Sequence, residues 1–280
     1  MVSVVILTKN EELDLARCLN SLTWTDDVHV LDSGSEDRTV EIALEYNAKV
    51  SNHQFESFGA QRNYALDNLE LKYDWILFLD ADEVVTPDFK NDLISSISEA
   101  DDETVGFYCC WKMILEERWL KHCDNFPKWQ FRVLKKGKAE FTDFGHGQKE
   151  GKVDGKLEYI KEPYLHYSFS KGWTQWIERH NKYSSQEAEA RLDNCPPFKN
   201  IFNRHSSTRN PALKSWLIKV PGWPFLRFLH AYFLNLGFLE GSPGFIYCIN
   251  MAYHEFLISI KIREMKRKKR QVELKTIKTF

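Results

Sequence analysis

Residues 75–83 read WILFLDADE, which joins an apolar run to three carboxylates. The run from Trp75 to Leu79 predicts a buried strand of a parallel sheet. The carboxylates then lie at its carboxyl end, the edge where open α/β sheets bind ligands. Asp80 and Asp82 can hold a hard divalent cation and leave sites for phosphate oxygens. The competing interpretation is an acidic turn before a helix, because residues 86–88 (TPD) have the pattern of a helix start.

The residues before this stretch predict two further strands, each followed by polar residues. Val2 to Leu7 is a short apolar run, and leucines at helical spacing follow it up to Leu22. A second strand, Val28 to Leu31, is followed by Asp32 and by a helix through Tyr46. This β-α-β-α order implies right-handed crossovers and a parallel sheet. Polar side chains at three strand ends favour a nucleotide site over three unrelated helix caps.

Four sequence blocks, taken together and in this order, resemble the signature of the family-2 glycosyltransferases. The blocks are Thr8-Lys9-Asn10-Glu11-Glu12, Asp32-Ser33-Gly34-Ser35-x-Asp37-x-Thr39, Gln61-Arg62-Asn63-x-Ala65 and Asp80-Ala81-Asp82-Glu83. They cover roughly the first 105 residues. Beyond them, the chain most resembles the branch of lipopolysaccharide-core β-glucosyltransferases.

The resemblance implies a GT-A fold, a Rossmann-like and mainly parallel sheet flanked by helices, which transfers a sugar from a nucleoside diphosphate with inversion. The residues that it places around the nucleotide sugar are Thr8, Asn10, Glu11, Asp32, Arg62, Asp80 and Ala81. Asp82 is expected to ligate Mg²⁺ or Mn²⁺, which neutralises charge on the diphosphate leaving group. Glu83 either supports this metal site or caps the next helix. The alternative interpretation of Arg62 is a solvated position on a helix surface.

An inverting transfer also needs a general base for the acceptor hydroxyl. The segment from Phe141 to Gly151 contains two carboxylates and a histidine among glycines. Related enzymes often show His-Glu here, whereas this chain has glycine after His146. The base is therefore left between Glu150, which we favour, and Asp143. An exposed turn between two strands is the alternative interpretation.

Two residues further along the chain are candidates for the rest of the site. His166 follows a short β-like stretch and either completes the metal site with Asp82, contacts the diphosphate, or is a packed core histidine. Aromatic residues from Trp173 onward recur at helical spacing and favour a core face. We expect Trp173 to be the exception and, with His146, to contact the acceptor.

Composition limits the classes of function. At 280 residues and 43% hydrophobic, the chain can bury one substantial core and an appendage. A net charge of −2 argues against a general nucleic-acid binder. Six cysteines without paired metal-ligand spacing are expected to be reduced thiols in the cytosol. The first residues enter a strand directly, without a signal-peptide pattern, so we expect no export.

The sequence predicts three regions: a catalytic domain at 1–192, a linker at 193–222 and a helical appendage at 223–280. The appendage is aromatic and aliphatic up to Ile260, and residues 261–280 then contain nine Lys or Arg residues and two glutamates. No segment has the 18 apolar residues of a membrane span, so we expect a helical hairpin associated with a membrane surface. A packed helical subdomain or a dimer interface is the alternative.

Three functional hypotheses follow. The first is a metal-dependent, inverting glycosyltransferase that uses a UDP-hexose and a lipid-linked, lipopolysaccharide or capsule acceptor, peripherally bound at the inner face of the cytoplasmic membrane. The second is a sugar nucleotidyltransferase, which the absence of a glycine-rich loop after the first strand disfavours. The third is a non-catalytic, membrane-associated scaffold of the same fold.

Overall fold

The computed structural model describes residues 1–144, 147–193 and 196–277. The chain forms two compact units. The first consists of Met1–Lys121 and Asn125–Gly172, and the second of His122–Asp124 and Trp173–Phe280. The units thus divide after Gly172 rather than after residue 192, and the three functional regions inferred from the sequence stay a prediction.

The first unit begins with alternating strands and helices, in the order that the sequence indicates. These elements are β1 (Ser3–Thr8), α1 (Leu15–Asn20), β2 (Val28–Asp32), α2 (Thr39–Glu45), β3 (Lys49–Asn52), α3 (Phe58–Asn68), β4 (Trp75–Asp80), β5 (Glu83–Val84) and α4 (Pro87–Glu99). Strands dominate the remainder of this unit. They are β6 (Thr104–Leu115), β7 (Arg118–Trp119), β8 (Trp129–Lys135), β9 (Ala139–Phe144), β10 (Gly147–Val153), β11 (Lys156–Tyr159) and β12 (Tyr164–His166).

The main sheet is parallel in its first half and mixed in its second. Its strand order is β3-β2-β1-β4-β8-β6-β12-β5, and β7 and β11 also pair with β6. Strands β1 to β4 are parallel because helices connect them. Strand β8 is antiparallel to both β4 and β6. The carboxyl ends of β1, β2 and β4 therefore meet at one edge.

The buried strands alternate their side chains between two helical layers. Val4 and Leu77 belong to the core cluster on the side of α1, α2 and α4, whereas Val5 and Phe78 face α3 and β9. A strand that is covered on both faces needs apolar residues at every position. This requirement explains the uninterrupted apolar run at residues 75–79. The helix start expected after the run is confirmed, because the Thr86 side chain accepts a hydrogen bond at the start of α4.

The described part of the second unit is mainly helical. Its helices are α5 (Gly172–Asp193), a 3-10 helix (Phe198–Phe202), α6 (Ser206–Leu217), α7 (Trp223–Leu229), a π-helical turn (His230–Leu234), a second 3-10 helix (Gly237–Glu240) and α8 (Gly241–Ile277). Among the residues described, no helix is both long and apolar enough to span a membrane. Five cysteines of this described chain are free and buried, namely Cys18, Cys109, Cys110, Cys123 and Cys248.

Two segments differ from the loops that the sequence suggests. Much of 193–222 is helical, and Pro211 lies inside α6. Proline removes only one backbone hydrogen bond from such a helix, so its presence did not exclude one. Residues 241–244 (GSPG), whose glycines and proline are typical of a turn, are the start of α8. Pro243 fits there because the first N–H groups of a helix have no partner within it.

Candidate active site

Asp32 ties the ends of β1 and β2 together. Its carboxylate accepts hydrogen bonds from the Thr8 hydroxyl at 2.9 Å and the Ser35 hydroxyl at 2.5 Å. It also accepts from the backbone N–H groups of Gly34 at 2.9 Å and Ser35 at 2.8 Å. A carboxylate offers about four acceptor positions, so these donors fill it. In this structure Asp32 and Thr8 are buried and shape the loop at the predicted nucleotide pocket.

The loop after β1 is held by the residues of the second sequence block. Backbone N–H groups of residues 10–12 donate to the side chains of Ser35, Thr39 and Asp37, over 2.8, 2.7 and 3.1 Å. Asn10 has a φ of 56°, a left-handed conformation that asparagine tolerates better than most residues. The two blocks therefore form one structure, with Asn10 and Glu11 at its rim.

The segment that follows β12 is fastened to this loop. The Lys171 ammonium pairs with Glu11 at 2.6 Å and donates to the Asn10 carbonyl at 2.7 Å. Three residues C-terminal to Glu11, the Asp14 carboxylate accepts from Ser170 at 2.5 Å. Burial raises the pKa of Glu11 to about 7 despite the lysine. Residues next to the predicted metal ligand His166 thus lie against the predicted nucleotide pocket.

Each residue of the block Gln61-Arg62-Asn63 holds a different part of the first unit. Gln61 donates to the Ser33 hydroxyl over 3.1 Å. Arg62 donates to Asp80 over 3.0 Å and is 1% exposed. Asn63 exchanges two hydrogen bonds, of 2.9 and 2.8 Å, with the backbone of Phe141 on β9. Arg62 is therefore no solvated surface residue, and its guanidinium is directed at Asp80.

Asp80 lies between two buried arginines. Besides Arg62, Arg132 of β8 donates to both oxygens of Asp80, at 3.3 and 2.7 Å. Arg132 also donates to Glu83 over 2.7 Å. Burial by itself raises the pKa of Asp80, but the two arginines hold it well below its usual range. Asp80 is therefore ionised at neutral pH, and its side chain is 34% exposed.

Glu83 is completely buried behind Asp80. One of its oxygens accepts from Arg132 and from the Tyr164 hydroxyl at 3.1 Å, and the other accepts from the backbone N–H of Asp80 at 2.8 Å. Burial raises the pKa of Glu83 above its usual range although Arg132 lies against it. These contacts favour the supporting role for Glu83 over that of a helix cap. Between Asp80 and Asp82, Ala81 is buried in the core.

Asp82 and His166 are brought together at the same edge. The Oδ2 atom of Asp82 lies 3.4 Å from Nε2 of His166, which also contacts the Ser168 hydroxyl at 2.9 Å. Burial by itself lowers the pKa of His166, but Asp82 and the neighbouring carboxylates raise it to about 8. Across the described residues, no group of three or more His, Cys, Asp or Glu side chains converges on a metal position.

The chemistry of this pair fits a cation that also binds phosphate. A carboxylate oxygen and an imidazole nitrogen are both ligands of Mn²⁺-type ions, and diphosphate oxygens can complete the coordination. The buried Nδ1 atom of His166 has no hydrogen-bond partner among the described residues. Asp80 is a poorer ligand, because its oxygens already face two guanidinium groups.

The two candidate bases lie on the hairpin of β9 and β10. Asp143 accepts a hydrogen bond of 2.9 Å from the backbone N–H of Gly59, at the start of α3. Glu150 is opposite Phe141 in the hairpin and interacts electrostatically with Tyr108. Burial, and then Glu150, raise the pKa of Tyr108. The structure therefore engages the two carboxylates with different elements.

The two predicted acceptor contacts have different outcomes. His146 lies outside the described residues. Trp173 begins the helical part of the second unit, where its ring packs edge-on against Trp176 at 5.5 Å between centroids. Trp176 is buried and stacks on His180. The aromatic residues of this helix thus include core residues, as expected, and the role of Trp173 stays a prediction.

Arg132 and Lys171 are the functional candidates that sequence reasoning missed. Arg132 interrupts the apolar run of β8, where every residue from Phe131 to Leu134 is buried. A charge in such a run must be paired, because burial of an isolated charge is very unfavourable. That signal was readable, but its partner was not. Lys171 carried no comparable signal, since it lies in a polar turn.

Comparison with known proteins agrees with this geometry. Residues 3–148, more than half of the chain, match the family model described as Glycosyl transferase family 2. The chain belongs to this family. It is a glycosyltransferase, and its fold is the GT-A fold that the sequence resemblance implied.

Relatives of this glycosyltransferase span nearly its whole length. An uncharacterised glycosyltransferase of Rickettsia typhi is 28% identical, over 97% of this chain and 89% of the relative. The lipopolysaccharide core biosynthesis glycosyltransferase LpsC of Rhizobium meliloti is 24% identical, over 93% and 91%. The solved structure of the mannosyltransferase PcManGT from Pyrobaculum calidifontis, in complex with GDP-Man and Mn²⁺, covers 93% of this chain and 86% of its own. Its TM-score is 0.51 at 16% identity, which supports the shared fold.

Proposed function

We propose that this glycosyltransferase moves a hexose from a UDP-sugar to a lipid-linked saccharide of lipopolysaccharide or capsule, with inversion and with a divalent cation. The observation that carries the proposal is the group of Asp80, Asp82 and His166 at the carboxyl edge of the sheet. The similarity to LpsC supports the class of acceptor. The GDP-Man in PcManGT shows that this fold also accepts another nucleotide, so the donor is tested below rather than assumed.

Asp82 and His166 would hold Mg²⁺ or Mn²⁺ at the donor diphosphate. When bound, such a cation neutralises the charge that develops on the leaving diphosphate. Asp80, kept ionised by its arginines, would accept a hydrogen bond from a ribose hydroxyl. Asn10, Glu11, Asp32 and their loop would enclose the nucleotide.

We propose Glu150 as the general base. It would remove the proton of the acceptor hydroxyl while that oxygen attacks the anomeric carbon and the bond to the diphosphate breaks. The Tyr108 hydroxyl, with which Glu150 interacts, would orient this carboxylate. Asp143 is the alternative base, and its bond to Gly59 also allows a purely structural role.

The second unit would attach the protein to the inner face of the cytoplasmic membrane. One face of α8 exposes Phe245, Ile249, Tyr253, Phe256 and Ile260, and the same 3–4 residue spacing continues through Arg263, Arg267 and Arg270. Phe245 also contacts the ring of Tyr232 at 5.5 Å between centroids, and Tyr232 packs against the exposed Phe233. Exposed aromatic residues beside arginines suit an anionic bilayer, where each basic residue contributes about 1 kcal/mol.

Donor binding tests the site. UDP would be titrated into the protein by calorimetry with and without Mn²⁺, then into Asp82→Asn, with the exposed Asp102→Asn as a matched control. We expect binding that needs both Mn²⁺ and Asp82 and that the control retains. Equal binding without the metal would refute the cation site. If UDP does not bind but GDP or CDP does, the donor carries that nucleotide instead. If none of the three binds, the result favours the non-catalytic scaffold.

Transfer and membrane binding have separate tests. Glu150→Gln should lower the transfer rate by about 10² to 10⁴-fold with donor affinity unchanged. The same loss in Asp143→Asn alone would move the base to Asp143. Phe233→Asp should weaken sedimentation with phosphatidylglycerol vesicles, whereas Phe202→Asp, at an exposed position in the 3-10 helix Phe198–Phe202, should not. Equal binding by both variants would refute the proposed membrane surface.

A further inference from the structure

Within the part of the chain that the structure describes, the contacts around Asp80 leave one acceptor position open. Its Oδ1 atom accepts from both Arg62 and Arg132, at 3.0 and 3.3 Å, which fills the two positions of that oxygen. Among the described residues, the Oδ2 atom accepts from Arg132 alone, at 2.7 Å. Both arginines are 1% exposed, whereas the Asp80 side chain is 34% exposed. The remaining position of Oδ2 is therefore the part of the carboxylate that a ligand can reach.

A hydroxyl group suits this position better than a cation does. Two guanidinium groups lie within 3.3 Å of the carboxylate and repel a divalent ion at the same oxygen atoms. A neutral hydrogen-bond donor meets no such repulsion, and its bond to an ionised acceptor is stronger than a bond between neutral groups. The carboxylates of the acidic block thus divide their tasks, since Asp82 faces His166 and Asp80 faces the arginines.

Arg132 and Glu83 close a ring that determines where Oδ2 points. Arg132 binds both oxygens of Asp80 and one oxygen of Glu83, while the other oxygen of Glu83 accepts the backbone N–H of Asp80. One guanidinium group thereby fixes the side chain of Asp80 directly and its backbone through Glu83. Only a planar fork with several donors can make these bonds together, so lysine is no substitute. Tyr164 completes the ring by donating to Glu83.

We infer that Arg132, held by Glu83, is a positioning residue of the donor site: it orients Asp80 so that Oδ2 accepts a ribose hydroxyl of the nucleotide. This inference rests on the proposed function. Arg132 lies outside the four sequence blocks. It belongs to β8, which pairs with β4 on the side opposite to β1. The assignment separates Arg132 from the residues that touch the diphosphate and its cation.

The test compares ribose recognition with diphosphate recognition. UDP, 2′-deoxy-UDP, 3′-deoxy-UDP and inorganic pyrophosphate would each be titrated by calorimetry in the presence of Mn²⁺. In the natural protein, removal of the recognised hydroxyl should weaken binding roughly 10- to 100-fold. In Arg132→Lys, UDP should bind about as weakly as that deoxy analogue, and the discrimination should fall below about threefold. Pyrophosphate affinity should stay unchanged.

Controls keep the inference falsifiable. Arg118→Lys, on an exposed strand position, should retain the full discrimination. Arg132→Met with Glu83→Gln removes one charge of each sign, so it avoids an unpaired buried carboxylate at Glu83 if the lysine variant fails to fold. It should lose the discrimination as well. Retained discrimination in a folded Arg132 variant, or a parallel loss of pyrophosphate binding, would overturn the inference. If the natural protein binds neither UDP, GDP nor CDP, the proposed function fails and the inference with it.

Discussion

Asp27 stabilises the first unit from a position away from the candidate site, and its replacement by asparagine gives a quantitative test of the fold. The carboxylate is completely buried before β2. One oxygen accepts from the Ser3 hydroxyl at 2.6 Å and the Lys72 N–H at 2.8 Å. The other faces Lys49 Nζ at 2.6 Å and His29 Nε2 at 3.0 Å. Four donors thus converge on one buried anion.

Asparagine keeps the shape but can accept at only one of the two oxygen positions. Its amide N–H₂ must face one pair of donors, and if it faces the first pair, the Lys72 N–H is left without an acceptor. An unsatisfied buried donor costs about 1–3 kcal/mol, and the remaining bonds weaken because the charge is lost. Lys49 is more than half exposed, so we discount its ion pair. We expect Asp27→Asn to lower the free energy of unfolding by about 3 kcal/mol, or Tm by roughly 6–12 °C.

The structure also determines in which direction the stabilisation by Asp27 changes with pH. Burial by itself raises the pKa of Asp27, but the bonds from Lys49, Ser3 and Lys72 hold it well below its usual range. A depressed pKa stabilises the fold above the unfolded-state value of about 3.9, and this stabilisation is lost as the pH falls through the folded-state pKa. The difference in free energy of unfolding between the natural protein and Asp27→Asn should therefore be constant between about pH 6.5 and 8. It should become smaller below about pH 4.

Urea denaturation followed by circular dichroism measures this difference at each pH. Asp26→Asn is the matched control, because Asp26 is the neighbouring carboxylate and is exposed. It should leave the stability almost unchanged. If Asp27→Asn were as stable as this control at pH 7.5, the hydrogen-bond arrangement around Asp27 would be wrong.

Three shorter predictions concern other parts of the chain. Burial raises the pKa of Glu11 to about 7, so ionisation of Glu11 destabilises the fold as the pH rises. Glu11→Gln should therefore raise the free energy of unfolding by about 1–2 kcal/mol at pH 8 and little at pH 5. Equal effects at both pH values would contradict this. Gly237→Ala places a methyl group 2.8 Å from the Ala231 carbonyl oxygen and should destabilise by about 1–3 kcal/mol, measured by thermal unfolding; an unchanged Tm would show that this turn adapts. Thr86→Ala removes the acceptor for the Phe89 N–H at the start of α4 and should cost about 1 kcal/mol, whereas Thr86→Ser should restore it.

The acidic block illustrates how far the sequence reached into the site. Alternating apolar runs and polar ends predicted the first strands, and the edge that collects Asp32, Asp80 and Asp82 followed from their order. The pairing of Asp82 with His166 was one of several interpretations of that histidine, and the structure places the two 3.4 Å apart. Arg62 was expected near the nucleotide sugar or on a solvated helix surface, and its buried guanidinium lies against Asp80.

What the sequence determined by itself is the set of local and periodic features: the buried strands, the helix between each pair of them, and the chemical type of the groups at their ends. These follow from patterns of a few residues, because the side chains of a strand or helix repeat over short intervals. The tertiary structure alone decided which charges meet. Arg132 is 52 residues from Asp80 along the chain, and only the antiparallel pairing of β8 with β4 brings them together. A buried charge requires a partner, but its identity depends on the strand order, which no local pattern encodes.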